Sequence, residues 1–279
     1  MTGRRAIFID VDGTLIGRDG RVPGSARDAI REARARGHLA FLCTGRSGAK
    51  LWDEVTEVGF DGMVAASGAY AEVGGVELFH RSMSAEQIDR AADFFDAHGV
   101  DYGFEGLTGV FGTRAFRDQL ESKVHEQYPD AVRLAEMRRG ILSFLNRIDI
   151  DPRPRREVSM ARFMFEGGIT FDEIRAELTG FRVVASSMPY YGYHSGELLM
   201  PDVHKATAMQ VVLAHLGLSS AVAVALGDSD NDLEMLAYAG LGIAMGNAPQ
   251  HVKDAADEVT ASVGEDGLRL ALARHGLIS

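Results

Sequence analysis

The chain has 279 residues, a formal net charge of −11 and a single Cys. A hydrophobic content of 46% with 25% charged residues is that of a globular protein and excludes wholesale disorder. The acidic balance argues against nucleic-acid binding, no apolar run reaches the roughly 18 residues of a membrane helix, and one Cys excludes a disulfide framework or a Cys-rich zinc site. The apolar stretch near the N-terminus is cut short by Asp10, which argues against a signal peptide. A single Cys is compatible with a reducing cytosol, and we expect a cytoplasmic protein.

Strand and helix patterns alternate over the first 70 residues. Short apolar runs at 5–11, 38–43 and 62–66 are typical of buried strands. Helical patterns at 25–36 and 47–57 lie between them. Strands that alternate with helices indicate a parallel sheet that is covered by helices on both faces.

The pattern changes after the third predicted strand. Residues 69–80 alternate around a Gly-Gly pair, as in an antiparallel hairpin, and a helix over 84–98 begins with capping-box spacing. Strand-like and helical pieces then mix irregularly to about residue 187. We therefore predict a separate α+β domain at 82–187, inserted into a core domain formed by 1–81 and 188–279.

The alternating pattern returns in the last third of the chain. Helical patterns are found at 204–216, 230–239 and 265–275, and strand patterns at 221–226 and 241–245. The sequence therefore predicts an α/β fold, a doubly wound parallel sheet that is interrupted by a second domain.

Two carboxylates end the first predicted strand, in the stretch DVDGTL. Asp10 and Asp12 are two residues apart, so they start on one side of the strand. Their position is the carboxyl end, where open α/β sheets bind ligands. Clustered carboxylates repel each other unless a cation or a shared proton intervenes, and oxygen ligands suit Mg²⁺. The alternative is an acidic turn that merely ends a strand.

Three further signals stand where a strand ends or a helix begins. Thr44, Gly45 and Arg46 form a phosphate-sized set of donors after the second strand. Lys205 opens a helix, where a cation opposes the helix dipole and needs an anionic partner or solvent. The stretch GDSDND at 227–232 places carboxylates and an amide after a buried strand. Each signal alone fits a turn, an exposed lysine or a capped helix, but their joint occurrence favours a metal and phosphate site at one sheet edge.

As a set, these motifs resemble those of the haloacid dehalogenase superfamily of phosphohydrolases. The matching parts are DVDGTL (10–15), CTGR (43–46), Lys205 and GDSDND (227–232). The cap between the second and third motifs resembles that of the Cof-type subfamily with a C2 cap. The resemblance implies a Rossmann-like core and a phosphoric monoester hydrolase. It implies a Mg²⁺-dependent phosphatase of small phosphorylated metabolites, such as sugar phosphates or cofactor phosphates, that forms an aspartyl-phosphate.

The resemblance also implies a role for each matching residue. Asp10 would be the nucleophile and Asp12 the general acid and base. Mg²⁺ would be held by the Asp10 carboxylate, the Asp12 backbone carbonyl and the Asp228 carboxylate, while Asp232 would order metal-bound water. The residues expected to bind phosphoryl oxygens are Thr44, Gly45, Lys205 and Asn231. Further substrate contacts are expected from Arg46, Ser67 and Gly68, although many relatives have Asn where this chain has Ser67.

Two alternatives stay open at this point. One is a phosphosugar mutase of the same superfamily, which returns the phosphoryl group to a sugar, and the other is a non-catalytic phosphometabolite-binding protein. The expected partner is a small phosphorylated metabolite, with neither nucleic acid nor membrane. For the cap arginines we favour a solvated basic face over a substrate contact. These arginines are Arg133, Arg138, Arg139, Arg153, Arg155 and Arg156.

Overall fold

A computed structural model describes residues 3–17, 20–51, 53–127, 145, 148–186 and 194–279, without the side chains of residue 49 and of 124–127. The chain divides into two compact units. The first consists of Met1–Arg46, Leu51–His80 and His204–Ser279, and the second of Ser47–Lys50 and Arg81–Val203. The sequence predicts domain borders after residues 81 and 187, whereas in this division the long insertion begins after His80 and ends at Val203.

Each unit contains both strands and helices. The strands are β1 (Ala6–Ile9), β2 (Leu39–Cys43), β3 (Gly62–Ala65), β4 (Tyr70–Val73), β5 (Val76–His80), β6 (Asp101–Glu105), β7 (Val110–Gly112), β8 (Ile148–Ile150), β9 (Met160–Met164), β10 (Arg182–Ala185), β11 (Ser195–Leu199), β12 (Ala223–Gly227), β13 (Leu241–Ala244) and β14 (Glu258–Val259). The helices are α1 (Gly24–Ala35), α2 (Asp53–Thr56), α3 (Ala85–His98), α4 (Arg114–Gln127), α5 (Phe171–Glu177), α6 (Lys205–His215), α7 (Leu233–Tyr238), α8 (Gln250–Asp254) and α9 (Gly267–Arg274).

The first unit is built on an eight-stranded sheet in the order β14-β13-β12-β1-β2-β3-β4-β5. The strands from β14 to β3 run parallel, and β4 and β5 add the predicted antiparallel hairpin at one edge. Ile7 and Ile9 of β1 belong to a core with residues of α1 and α9, while Phe8 belongs to a core with residues of α6 and α7. Helices therefore cover both faces, and the predicted doubly wound α/β core is confirmed.

The second unit contains a six-stranded sheet in the order β10-β11-β9-β6-β7-β8. Phe95 of α3 and Ile174 of α5 share a core with Tyr102 and Phe163 from neighbouring strands of this sheet. Both helices begin with the capping boxes that their sequences contain, and in α3 the Ser84 hydroxyl accepts a hydrogen bond from Gln87 N at 3.2 Å. The unit is thus an α+β insertion, as predicted.

Two predicted helices are shorter than their patterns suggest. The pattern at 47–57 becomes a 3₁₀ turn at Gly48–Lys50 and the short α2. Gly48 lies so close to Leu107 of the second unit that an added Cβ would be 3.1 Å from its carbonyl oxygen, so this turn follows tertiary contacts and not helical periodicity. The helix predicted at 230–239 opens as a 3₁₀ turn at Asp230–Asp232 and continues as α7.

Within the described parts of the chain, every helix is too short or too polar to cross a membrane. The cytoplasmic location stays a prediction.

Candidate active site

The candidate site lies at the carboxyl ends of the parallel strands of the first unit. Strand β1 is paired with β2 on one side and β12 on the other. Asp10 directly follows β1, Thr44 follows β2, and Asp228 follows β12. The loops that carry these residues therefore start at one edge of the sheet, which is where the sequence motifs predict them.

Lys205 links two of the carboxylates. Its Nζ donates hydrogen bonds to Asp10 Oδ1 at 2.6 Å and to Asp232 Oδ1 at 2.5 Å. The lysine side chain is fully buried. Burial alone would lower the pKa of Lys205, but the carboxylates of Asp10 and Asp232 outweigh it and hold the pKa above its ordinary value. These two anions explain why a lysine is stable in the first turn of α6, where the helix dipole disfavours a cation.

Three carboxylates converge beside this lysine. Oxygens of Asp10, Asp228 and Asp232 lie within 4.8 Å of one another. Burial, and after it the Asp232 carboxylate, raises the pKa of Asp10 well above its ordinary value and that of Asp228 to about 8. Asp228 Oδ1 is buried and has no hydrogen-bond partner in the described structure. A divalent cation with a preference for oxygen ligands, such as Mg²⁺, fits this donor set because it would supply the missing positive charge and a partner for Oδ1.

Both carboxylate oxygens of Asp232 accept hydrogen bonds from protein groups. Oδ1 accepts from Lys205, and Oδ2 accepts from the backbone N–H groups of Asp228 at 2.9 Å and Ser229 at 3.0 Å. The carboxylate thus fixes the loop after β12 and the lysine at the same time. A side chain on Gly227 would overlap this carboxylate, which accounts for glycine at that position. The arrangement agrees with an indirect role of Asp232 at a metal site.

Asp12 lies in a bidentate ion pair with Arg46. The guanidinium Nε is 2.8 Å from Asp12 Oδ2, and a terminal nitrogen is 2.6 Å from Oδ1. Both side chains are mostly buried. This fork geometry fixes the orientation of the Asp12 carboxylate. Sequence reasoning placed Arg46 against substrate, and its partner in this structure is the candidate acid and base.

The remaining predicted site residues lie in the loops around these groups. Thr44 is buried, and its hydroxyl accepts from Arg46 N at 3.0 Å; Gly45 is buried beside it. Ser67 N donates to Thr44 O at 3.1 Å, and Gly68 has a φ of 106° and no room for a Cβ next to His204 O. Asn231 is buried, and its Oδ1 accepts from Ser229 Oγ at 3.1 Å. Hydrogen bonds thus link Asp10 and Asp232 through Lys205, and Asp12 and Thr44 through Arg46, while Asn231 belongs to the loop after β12.

Sequence reasoning missed Asn247, which follows β13. Its side-chain amide donates to Gly13 O and to Asp228 Oδ2, both at 2.9 Å. The available signal was a polar residue shortly after a buried strand, at the same sheet edge as the other motifs.

The cap arginines within the described residues have partners in the second unit. Arg153 pairs with Asp93 at 2.7 Å, Arg155 pairs with Asp89 at 2.8 Å, and the guanidinium of Arg156 lies 5.7 Å from the ring centre of Phe111. The other three, Arg133, Arg138 and Arg139, lie outside the described residues.

Comparison with known proteins gives the family. The family model for haloacid dehalogenase-like hydrolases matches residues 7–272. Phosphoglycolate phosphatase of Archaeoglobus fulgidus is 28% identical over 280 residues, which cover 98% of each chain. The 5-amino-6-(5-phospho-D-ribitylamino)uracil phosphatase YwtE of Bacillus subtilis is 26% identical over 285 residues, which cover 95% of each chain.

A solved structure agrees with this assignment. BT1666 from Bacteroides thetaiotaomicron, described among the phosphatases of the haloalkanoate enzyme superfamily, has a TM-score of 0.81 and 25% sequence identity. The match covers 99% of this chain and 96% of that one. The family match spans both sheets and all four sequence motifs, as the resemblance predicted. The chain therefore belongs to the haloacid dehalogenase superfamily, among its Cof-type hydrolases, and is an enzyme of the phosphatase type.

Proposed function

We propose that this protein is a Mg²⁺-dependent phosphatase that hydrolyses small phosphorylated metabolites through an aspartyl-phosphate on Asp10. The observation that carries the proposal is the convergence of the carboxylates of Asp10, Asp228 and Asp232 beside a buried lysine, with a buried Asp228 oxygen that has no hydrogen-bond partner among the described residues. Such a group of acids is stable near neutral pH only when a cation joins it or when it takes up protons.

Asp10 is the proposed nucleophile. Its carboxylate oxygen would form a bond to phosphorus while the ester bond from phosphorus to the leaving oxygen breaks. Lys205 holds Asp10 Oδ1 at 2.6 Å, so the orientation of the carboxylate is set before substrate binds. A carboxylate and a phosphate ester repel by about 1 kcal/mol per charge pair at 4 Å in water, and by more in a closed site. The Lys205 ammonium offsets part of this repulsion.

Asp12 is the proposed acid and base. In the first step it would give a proton to the leaving oxygen, and in the second it would take a proton from the water that hydrolyses the aspartyl-phosphate. The two-point contact with Arg46 orients the ionised carboxylate, which is the form that would take the proton in the second step. Thr44, Gly45 and Asn231, together with Lys205, are the proposed donors to the phosphoryl oxygens, with further contacts from Ser67 and Gly68.

The residues that would hold Mg²⁺ are Asp10, Asp228 and, through its backbone carbonyl, Asp12. When bound, the ion would neutralise charge between the nucleophile and the phosphate and stabilise the charge of the transition state. Asp232 would support the site indirectly, because both of its oxygens accept hydrogen bonds from protein groups.

Relatives support the proposed substrate class without identifying the substrate. Their names refer to phosphoglycolate and to a phosphoribitylamino-uracil, both small phosphorylated metabolites. For this chain we propose the same broad class, which includes sugar phosphates and cofactor phosphates.

Hydrolysis of p-nitrophenyl phosphate with and without Mg²⁺ tests the proposal. We expect Mg²⁺-dependent release of nitrophenol, and we expect Asp10→Asn to reduce it to background because the amide is not a nucleophile. The matched control is Asp254→Asn, the same chemical change on α8, where the carboxylate accepts only from Gln250 in the described structure. The proposal fails if the parent enzyme has no activity with Mg²⁺, or if Asp10→Asn is as active as the parent.

A panel of phosphorylated metabolites then separates the alternatives. Release of inorganic phosphate supports the phosphatase. Conversion of a sugar monophosphate to its positional isomer would instead indicate a mutase, and tight binding without turnover would indicate a binding protein.

A further inference from the structure

Asn247 lies at a junction of three loops in the first unit. It comes shortly after β13, which pairs with β12 so that Ala244 lies opposite Gly227. Met245 N donates to Gly227 O at 2.9 Å, so this pairing continues past the end of β13. The loop with Asn247 therefore runs beside the loop that carries Asp228.

The Asn247 amide makes three hydrogen bonds to described residues. The nitrogen Nδ2 donates to Gly13 O and to Asp228 Oδ2, both at 2.9 Å. The oxygen Oδ1 accepts from Val263 N, also at 2.9 Å. Because Nδ2 faces two acceptors and Oδ1 faces a donor, only one orientation of the amide satisfies all three contacts. An aspartate could not donate to the two acceptors, and a shorter side chain could not bridge the loops, so the contacts require asparagine.

The hydrogen bond from Asn247 to Asp228 determines which oxygen of the Asp228 carboxylate is available to a ligand. The Asn247 amide donates to Oδ2, while Oδ1 is buried and has no hydrogen-bond partner in the part of the chain that the structure describes. Gly13 packs against the same carboxylate so closely that a Cβ would overlap Oδ2, and its φ is 85°. The carboxylate is thus fixed from two sides, by the backbone after Asp12 and by the Asn247 amide.

We propose that Asn247 is a positioning residue, which fixes the Asp228 side chain so that its Oδ1 is available to a divalent cation. This inference rests on the proposed function, since it assumes that the acidic cluster binds a cation. Groups that orient a metal ligand typically change metal affinity or activity by roughly 10- to 100-fold when they are removed.

Direct binding of Mn²⁺ tests the inference, and it is measured from the electron paramagnetic resonance signal of the free ion. We expect Asn247→Ala to weaken Mn²⁺ binding by about 10- to 100-fold relative to the parent chain. Gln250→Ala is the matched control. Gln250 lies three residues after Asn247, and its side-chain amide donates to Asp254 instead of Asp228. The control variant should bind Mn²⁺ as the parent does. If Asn247→Ala does not fold, Asn247→Ser is used in the same way, since its hydroxyl is too short to reach both acceptors.

A second readout separates positioning from general stability. The melting temperature is measured without metal and with saturating Mg²⁺. A purely structural role would lower both values equally, whereas a positioning role reduces the increase that Mg²⁺ causes. Unchanged Mn²⁺ affinity in the Asn247 variants overturns the inference while leaving the proposed function intact. Absence of Mn²⁺ and Mg²⁺ binding by the parent overturns both.

Discussion

Each unit of this protein contains a buried group of charged side chains, and the two groups differ in charge balance. The group in the first unit contains the proposed nucleophile and is called the catalytic cluster for that reason. It consists of Asp10, Lys205, Asp228 and Asp232, so that one ammonium group lies among three carboxylates. The ladder cluster of the second unit consists of Lys50, Glu105, Arg162 and Glu197, in which two cations face two carboxylates. The first group has an excess of negative charge, and the second is neutral.

The ladder cluster lies across three neighbouring strands of the second sheet. Arg162 on β9 contacts Glu105 on β6 at 3.0 Å and Glu197 on β11 at 2.8 Å, and Lys50 pairs with Glu105. Burial alone would raise the pKa of Glu105, but Lys50 and Arg162 outweigh it and lower the pKa. Each charge in this cluster therefore has an opposite charge within the protein.

The difference distinguishes a structural ion-pair network from a ligand site. Burial of charge is costly in both units, and pairing offsets the cost only where the charges match. In the catalytic cluster the carboxyl groups of Asp10 and Asp228 have raised pKa values, whereas the paired Glu105 of the ladder cluster has a lowered pKa. Acids whose pKa is perturbed by burial and by a like charge cluster at functional sites. The charge balance thus supports the assignment of the cation to the first unit.

The largest stability effect is expected from unbalancing the ladder cluster. Glu105→Gln removes one carboxylate and leaves Lys50 and Arg162 facing Glu197 alone. Breaking a buried pair from one side costs about 3–5 kcal/mol, because a buried charge is left uncompensated. Urea unfolding should show this loss.

The control is Asp172→Asn, which breaks an exposed pair with Arg175. There we expect a change of about 0–1 kcal/mol. A loss of similar size in both variants would contradict the structural role of the ladder cluster.

We expect a smaller effect on stability when the pH is changed, and its sign differs between the two clusters. In the metal-free protein the pKa of Asp228 is raised from 3.8 to about 8, so the folded state retains a proton that the unfolded chain has lost. Stability from this group is present below pH 4 and is lost as pH rises towards 8. The lowered pKa of Glu105 acts in the other direction, because its stabilisation is present above its ordinary 4.5 and is lost as pH falls through the folded-state value.

Thermal unfolding between pH 3 and pH 9 with EDTA, and again with Mg²⁺, checks this prediction. Because a metal binds the ionised carboxylates, Mg²⁺ should raise the melting temperature more at pH 8.5 than at pH 6. Asp228→Asn should flatten the pH dependence of the metal-free protein and abolish most of the Mg²⁺ effect. An equal Mg²⁺ effect at both pH values would contradict the linkage between protonation and metal binding.

The catalytic cluster was more predictable from sequence than the ladder cluster, for a physical reason. Asp10 and Asp228 each follow a buried apolar strand, and parallel strands bring such ends to one edge, so local patterns suffice. The ladder cluster depends on which strands are neighbours and in which register, and Arg162 and Glu197 meet only because β9 pairs with β11. The Asp12–Arg46 pair and the Asn247 contacts depend on side-chain conformations and loop paths, which strand and helix periodicity does not encode.

The smallest effect is expected from backbone strain beside the catalytic cluster. Among the described residues, the non-glycine residues with positive φ all belong to the first unit, and Ala66 and Ser67 are adjacent with φ of 49° and 53°. Ala66 N donates to Arg46 O at 2.7 Å, so this turn supports the loop that holds Asp12. Such strain costs about 1–3 kcal/mol for each residue and persists where the surrounding structure requires it.

Ala66→Gly should relieve part of that strain. The gain is reduced by the greater flexibility of glycine in the unfolded chain, so we expect a net stabilisation of about 0–1 kcal/mol in urea unfolding. Ala69→Gly is the matched control, because Ala69 is buried in the same turn but has an ordinary φ of −77°. That variant should lose at least about 0.5–1 kcal/mol, since glycine adds flexibility there without relieving strain. If Ala66→Gly destabilises the protein as much as Ala69→Gly does, the turn is not strained, and its left-handed residues are accommodated without cost.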